Sequence, residues 1–167
     1  EEGIHYHFEH SPEGHLLVFG DDQTGFPRLE RPTAYSQDNG LVADEQVIKR
    51  FALRMETRPS RVTRRDYDFE KPHLLMEAAH QAEQPIEGEA PPPPLPDLED
   101  YDYPGLFTER ARGKHLAKRT LERHRSDYRL AEGKCDVPSL ISGHFLTLSD
   151  HPRADWNDLW LITGIRH

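Results

Sequence analysis

The sequence lacks the features that define the common enzyme and membrane-protein classes. Its 167 residues include one cysteine, Cys135, so no intramolecular disulfide can form, which fits folding in a reducing compartment. No apolar run approaches the roughly 18 residues that a bilayer-spanning helix needs. The nucleophile elbow, the HExxH zinc helix, the Walker phosphate loop and the GxGxxG dinucleotide turn are all absent. We therefore predict no catalytic residues, no cofactor and no membrane-spanning segment.

The chain also lacks the surplus of positive charge that nucleic-acid binding requires. Its net charge is −9, so we expect no nucleic-acid partner. The charge is locally uneven: residues 83–102 carry seven acidic and no basic side chains, whereas residues 108–129 carry eight Lys or Arg and three acids. Such separation favours assembly surfaces, although solvated faces are its commoner explanation.

Two possible chemical sites are more simply explained as ordinary structure. Cys135 is predicted to be a packed thiol, because no base for a thiolate nucleophile can be identified in the sequence. Asp150, Asp155, Asn157 and Asp158 offer oxygen ligands but lack the spacing of a calcium loop, so we predict a hydrogen-bonded turn.

Histidines are concentrated near the start of the sequence, in the stretch IHYHFEH. The alternation of apolar and polar residues there predicts a half-buried strand, with Ile4, Tyr6 and Phe8 on the buried face and His5 and His7 on the solvent-exposed face. Residues 11–14 predict a tight turn into a second strand, which makes a β-hairpin. His5, His7 and His15 are weak candidates for zinc ligands. His10 is the alternative to His15 in such a site. We expect these histidines to be solvent-facing or interface residues, because no third or fourth ligand and no orienting partner can be identified at a recognisable spacing.

The remaining sequence predicts antiparallel β-structure with one main helix. Residues 45–80 alternate as further strands, and Thr108 is a plausible N-cap for a helix with an apolar stripe through Leu116 and Leu121. A small β-meander follows the helix. The fold class is therefore α+β and predominantly antiparallel β. The predicted domains are a β-hairpin-rich module over 1–80, a Pro/Glu-rich linker over 81–100, and a helix plus β-meander over 101–167.

The linker has four consecutive prolines, and a spacer is favoured over a proline-rich ligand for a recognition domain.

Two groups of side chains are assigned roles in folding and in contacts. Residues expected to support folding are Tyr67, Phe69, Tyr101, Tyr103, Phe145, Trp160 and Leu161. Candidates for polar contacts between chains or with a partner protein are Arg64, Arg65, Lys118, Arg119 and Arg123, although a solvated basic face explains each of them at least as well.

Several segments together resemble a known family. EEGIHYHFEH, HLLVFGD, RDYDFEKP, YDYPGLFTE, FLTLSDHPRADWN and LITGIRH occur in the order found in VgrG, the valine–glycine repeat protein of type VI secretion systems. The resemblance covers nearly the whole chain. It implies a fragment of the phage-tail hub-like module, truncated at its amino terminus and lacking the OB-fold and β-helical spike.

The resemblance also implies a structural function. Three chains of that family form a hub of β-barrel domains, which joins the hexameric Hcp tube to the puncturing spike, with spike-tip and effector proteins as further partners. The protein would assemble in the bacterial cytoplasm and then be secreted or injected into a target cell. A contractile phage or prophage tail baseplate hub is the near alternative. A histidine-rich metal-binding enzyme or effector module and a peptide-binding β-domain with a groove at a strand edge are remoter ones.

Overall fold

The computed structural model describes residues 2–37, 46–82 and 96–166. Its contacts form two compact units, each built from two stretches of chain. The helical unit comprises Glu1–Gly3 and Arg54–Leu130, and the hairpin unit comprises Ile4–Leu53 and Ala131–His167. Most of the predicted linker, residues 83–95, lies outside the described residues. The predicted domain boundaries stay a prediction.

Ten strands and one α-helix form within the described ranges. The strands of the first half are β1 (His5–Ser11), β2 (Gly14–Gly20), β3 (Thr33–Ala34), β4 (Ile48–Met55), β5 (Arg61–Asp66) and β6 (Met76–Gln81). The second half contains β7 (Glu99–Asp102), α1 (Arg110–Arg125), β8 (Arg129–Cys135), β9 (Phe145–Ser149) and β10 (Leu159–Leu161).

The strands pair in small sheets. β1 with β2, β5 with β6 and β9 with β10 are antiparallel, which confirms the predicted antiparallel character and the single main helix. β5 with β7 and β3 with β9 are parallel pairs that the sequence did not predict. The expected β-barrel is not closed within the described residues, because the sheets there contain two or three strands each and keep their edges.

In the helical unit, α1 packs on one face of the sheet ordered β6-β5-β7. Val62 of β5 is fully buried and contacts Ala117 and Leu121 of α1. The predicted N-cap is wrong: α1 begins after Glu109, whose extended backbone precedes the helix without a side-chain cap, so Thr108 lies outside it. Buried small and apolar residues on one stripe therefore hold α1 to the sheet more than capping does.

A second cluster extends the core of this unit beyond the helix. Phe107, Met76 and Leu116 are buried together with Ala78. The Phe107 ring lies over Gly113, where an added Cβ would come within 2.7–2.9 Å of three ring atoms. Glycine at this helical position therefore makes the space that the ring occupies.

The hairpin unit has its own core around Ile48, Leu146 and Leu148. Partly buried apolar residues surround it, namely Leu29, Tyr35, Phe51, Leu140, Trp156, Trp160 and Ile162. Phe145 and Leu161 are half-buried on β9 and β10, so the expectation that they and Trp160 support the fold is confirmed.

Four of the predicted folding residues are wrong, because they are exposed. Tyr67, Phe69, Tyr101 and Tyr103 keep 57%, 82%, 54% and 58% of their surface accessible. Tyr101 is the register partner of Thr63, whereas the neighbouring Val62 faces α1, so alternation places Tyr101 on the opposite sheet face. Size and aromaticity did not decide burial here; the position of the helix did.

The β1–β2 hairpin forms as predicted, but its buried face was assigned wrongly. The His5 ring stacks on Phe26 with centroids 4.4 Å apart, and the His7 side chain is 9% exposed. Ile4 and Tyr6 on the other face are 62% and 66% exposed. Phe26 supplies an aromatic surface against which imidazole rings pack, so the histidine face is the covered one.

The predictions for Cys135 and for the acidic turn have different outcomes. Cys135 is exposed at the end of β8, so the predicted packing of its thiol is wrong. The turn prediction is confirmed, because the Asn157 carboxamide accepts from the His151 N–H at 2.8 Å and donates to the His151 carbonyl at 3.0 Å. Asp158 similarly accepts from the Leu159 N–H.

Candidate functional site

The structure separates the three histidines considered as metal ligands. His5 and His7 lie on the face of the hairpin that packs against Phe26, whereas His15 faces His10 across the strands, with their Nδ1 atoms 2.7 Å apart. Among residues 2–37, 46–82 and 96–166, no cluster of three or more His, Cys, Asp or Glu could hold a metal ion. The weak metal hypothesis therefore gains no geometric support from these side chains.

The opposite side of the hairpin is an apolar surface open to solvent. Its exposed members are Ile4, Tyr6, Phe8, Leu17 and Phe19. Tyr6 is paired in register with Phe19 and Phe8 with Leu17, which places these side chains on one face. We call this set the apolar hairpin face. A contiguous apolar patch of this kind is typical of a surface that another polypeptide covers.

Two of the arginines predicted as interface residues are neighbours on β5. Arg64 is 15% exposed at its side chain, donates to Thr120 Oγ1 at 2.8 Å and pairs with Asp102 at 3.5 Å. Arg65 points the other way and is exposed, and its guanidinium group has no hydrogen bond or ion pair with any described residue, although its backbone carbonyl accepts from the Gly105 N–H. Arg64 thus joins α1 to the sheet, and Arg65 is accessible to a partner.

The other interface candidates lie on α1. Lys118 Nζ lies 3.9 Å from Glu122 Oε1, and Arg119 donates to Glu122 Oε2 at 2.8 Å. The Arg119 side chain also packs against Gly3. Lys118 and Arg123 are exposed, whereas Arg119 is partly covered. Their role in contacts between chains stays a prediction.

Part of the predicted charge separation is neutralised inside the helical unit. Glu99 of β7 accepts from Thr63 Oγ1 at 2.5 Å and from Arg61 Nε at 3.2 Å. The Thr63 hydrogen bond, followed by that of Arg61, holds the Glu99 pKa below its ordinary value. Asp100 lies 2.7 Å from His124 Nε2 on α1. The sequence could not reveal these pairs, because they depend on β7 lying parallel to β5.

The first residues of the chain are tied to α1 by charge. Arg112 forms a bidentate ion pair with the Glu2 carboxylate. Its Nη1 donates to Glu2 Oε2 at 2.8 Å, and its Nη2 pairs with Glu2 Oε1. This pairing lowers the Glu2 pKa from 4.5 to about 2, and His115 lies 3.4 Å from the same carboxylate. The contact places Glu2 and Gly3 in the helical unit.

An open groove of about 460 Å³ lies on the helical unit, away from α1. Its walls are Arg65, Asp66, Tyr67, Pro72, His73, Leu74, Leu75, Met76, Tyr101 and Tyr103. We call it the tyrosine groove. Sequence reasoning missed it because the tyrosines were assigned to the core. The signal was available in YDY, where alternation sets Tyr101 and Tyr103 apart from Asp102.

A carboxylate at the end of β8 gives the hairpin unit a measurable pH dependence. Asp136 Oδ1 accepts from the Val47 N–H at 2.7 Å, and Oδ2 lies 3.1 Å from Lys49 Nζ. The Val47 backbone bond, followed by the Lys49 hydrogen bond, lowers the Asp136 pKa below its ordinary 3.8. Because the folded pKa is the lower one, this stabilisation is complete above 3.8 and is lost as pH falls from there through the folded pKa.

We therefore expect the stability of an Asp136→Asn variant to depend less on pH than that of the wild type as pH falls below 3.8. Hydrogen exchange of the Val47 amide, followed across this range, measures the effect. An Asp21→Asn variant, which removes an exposed carboxylate elsewhere in the hairpin unit, controls for the general loss of charge. Equal pH slopes for wild type and Asp136→Asn would contradict the assignment.

Comparison with known proteins agrees with the resemblance in the sequence. The chain is 66% identical to type VI secretion system spike protein VgrG5 of Pseudomonas aeruginosa over 167 residues, covering 100% of this chain and 20% of that protein. It is 64% identical over 169 residues to spike protein VgrG4b of the same organism, again with 100% and 20% coverage. Spike protein VgrG3 of Vibrio cholerae is 29% identical over 167 residues, with 100% and 16% coverage. The resemblance to VgrG is confirmed.

The chain corresponds to a part of these longer spike proteins. It spans about one-fifth of the length of VgrG5 and of VgrG4b. Within the described residues, no helix combines the length and apolarity that crossing a membrane requires. The family model for the phage tail baseplate hub (GPD) matches residues 1–167. This chain therefore belongs to the phage tail baseplate hub family.

Proposed function

We propose that this chain is part of the hub of a type VI secretion spike, which joins the Hcp tube to the puncturing spike. The observation that carries the proposal is the hub-family match over all 167 residues, together with 66% identity to a spike protein. In the proposed assembly three copies form the hub, one face meets the hexameric Hcp ring, and spike-tip and effector proteins bind elsewhere. Assembly takes place in the bacterial cytoplasm, before secretion or injection into a target cell.

The work of such a hub is mechanical, and the helical unit has bonding suited to it. β5 is the central strand of its sheet and is bonded on both sides, so a pull along the strand loads many hydrogen bonds together. Ser60, just before β5, donates its N–H to the Leu98 carbonyl at 2.9 Å and accepts from the Ala82 N–H at 2.8 Å. Arg64 adds a side-chain connection between β5 and α1. These contacts support transmission of force without unfolding.

A hub also needs surfaces for its neighbours. The apolar hairpin face and the exposed cations Arg65, Lys118 and Arg123 are the surfaces that favour assembly. A reactive site is not required by this function, and the relatives are named as spike proteins. We infer from this that the chain is not an enzyme.

A contractile phage or prophage tail hub is the second candidate. It is favoured by the family description, which names the phage tail baseplate. The two candidates share the hub architecture and differ in the tube protein that they contact. Binding to purified Hcp, compared with binding to a phage tail-tube protein, separates them.

The first experiment is light scattering of the full-length protein with and without Hcp. We expect a trimer whose mass increases by one or more Hcp rings. A combined Arg65→Glu, Lys118→Glu and Arg123→Glu variant is expected to weaken Hcp binding or trimer formation by at least about tenfold. The reason is that three negative side chains replace three positive ones at the proposed contact positions. Arg50→Glu, at an exposed position on β4, is the matched control.

The proposal makes a clear negative prediction. A full-length protein that remains monomeric and ignores both Hcp and the tail-tube protein would overturn it. If trimers form and bind Hcp but the triple variant behaves like Arg50→Glu, the hub function stands and the interface assignment of these cations fails.

A further inference from the structure

The outer edge of β7 offers backbone groups to an added strand. β7 is the edge strand of the sheet ordered β6-β5-β7. The Leu98 carbonyl accepts the N–H groups of Ser60 and Arg61 on the β5 side. Strand alternation therefore turns the backbone groups of Glu99 and Tyr101 away from β5, where no described residue pairs with them. An edge of this kind is a template for strand addition.

The tyrosine groove begins at this same strand. Tyr101 and Tyr103 leave β7 on the face away from α1, and Tyr67, Leu74 and Leu75 complete the apolar part of the groove. Each of these five side chains is at least half exposed. A volume of about 460 Å³ falls within the roughly 300–1,000 Å³ of typical ligand pockets. The groove therefore has room for apolar side chains of a strand lying beside β7.

One cation at the groove is available for pairing. Arg61 and Arg64 of β5 pair with acids of β7, whereas the Arg65 guanidinium group has no ion pair or hydrogen bond with a described residue. Glu77 is its register partner on β6. The Asp66 carboxylate accepts from the N–H groups of Tyr67 and Phe107 and is thereby engaged. His73 also lines the groove.

The distances between strands allow Arg65 to take part. Neighbouring strands lie about 4.8 Å apart, so a strand added to β7 would lie about 10 Å from β5. An arginine and a glutamate side chain on the same sheet face together cover that span. A carboxylate on the added strand would thus form a charge-assisted hydrogen bond with Arg65.

We propose that the β7 edge and the tyrosine groove bind an extended segment of a partner polypeptide. The segment adds to β7 as a strand, places an apolar side chain in the groove and presents a carboxylate to Arg65. This mode uses main-chain hydrogen bonds for affinity and alternate side chains for specificity. It goes beyond the proposed hub function, because it requires neither the trimer nor Hcp.

The test begins with selection from a display library of random seven-residue peptides on the immobilised full-length protein. We expect enrichment of peptides that alternate apolar residues with an acid. A selected peptide is then synthesised and titrated by fluorescence anisotropy. Arg65→Gln is expected to weaken binding about tenfold, the value of one charge-assisted hydrogen bond, while Arg50→Gln on β4 leaves it unchanged.

Two further measurements separate strand addition from unspecific attraction. Bound peptide is expected to protect the Glu99 and Tyr101 amides from hydrogen exchange, and N-methylation of alternate peptide amides is expected to abolish binding. Tyr101→Ser, at an exposed position, is expected to weaken binding while exchange in α1 stays as in the wild type.

Several outcomes overturn the proposal. They are the absence of an apolar–acidic consensus, binding that survives Arg65→Gln, and unchanged exchange at residues 99–101 in the bound state. Protection of these amides in the free protein that disappears on dilution overturns it as well, because the edge would then be a contact between copies. Normal trimer formation and Hcp binding in any of these cases leave the hub function intact.

Discussion

Replacing Gly113 with alanine is expected to destabilise the helical unit by about 1–3 kcal/mol. The sign is opposite to the usual effect, since alanine in a helix interior is favoured over glycine by roughly 0.5–1 kcal/mol. The reason is the Phe107 ring, three atoms of which lie 2.7–2.9 Å from the position of the new Cβ. Phe107 is itself buried against Met76 and Leu116, so the ring has little room to move. Hydrogen exchange of the α1 amides in the full-length protein measures the change.

A double-mutant cycle tests this explanation. Phe107→Leu removes ring atoms, so Gly113→Ala is expected to be harmless or stabilising when it is introduced into that background. Gly25→Ala, where no atom lies within 4 Å of the added methyl group, is the control for the general effect of removing a glycine. If Gly113→Ala accelerates exchange equally with Phe and with Leu at position 107, the steric account is wrong.

Truncating Leu148 to alanine is expected to cost the hairpin unit about 2–5 kcal/mol. Leu148 is 1% exposed and belongs to the cluster with Ile48 and Leu146. The change removes buried methyl groups and leaves a cavity between β9 and its surroundings. Exchange of β9 and β10 amides in the full-length protein reports the loss as a rise in local opening.

The matched control for this truncation is Phe69→Ala. Phe69 is larger than Leu148 but 82% exposed, so its removal is expected to change stability by less than about 0.5 kcal/mol. A Phe69→Ala variant as unstable as Leu148→Ala would restore the role in folding that the sequence suggested.

Alternation along the chain predicted the hairpin and several strands, because side-chain direction in a strand follows directly from backbone geometry. It did not predict which face is covered. The His7 side chain is nearly buried while Tyr6 is exposed. The reason is that Phe26 and Gly143, which are distant from His7 in sequence, pack on the histidine side of the hairpin. The resemblance to VgrG predicted the family correctly, although the expected barrel is not closed by the strands of the described residues.

The accessible surfaces were the least predictable part. The five candidate arginines and lysines lie on β5 and α1, but only the fold distinguishes Arg64, which is bonded to Thr120, from Arg65 beside it. The tyrosine groove depends on β7 lying parallel to β5, and no local pattern encodes that pairing. Alternation in YDY indicated that Tyr101 and Tyr103 share a face, but the residues that they meet across the parallel ladder are set by tertiary structure.

The discontinuity of the hairpin unit also constrains the order in which this protein folds on the ribosome. Its two stretches flank residues 54–130, and the Asp136 carboxylate bonds to a backbone amide 89 positions earlier. β3 cannot pair with β9 until residues 145–149 have been synthesised. By contrast, the elements β5, β6, β7 and α1 emerge consecutively, and they pair and pack mainly with one another. Nascent chains are therefore expected to complete the sheet of β5, β6 and β7 with α1 first, whereas the core of the hairpin unit must wait until β9 has been synthesised.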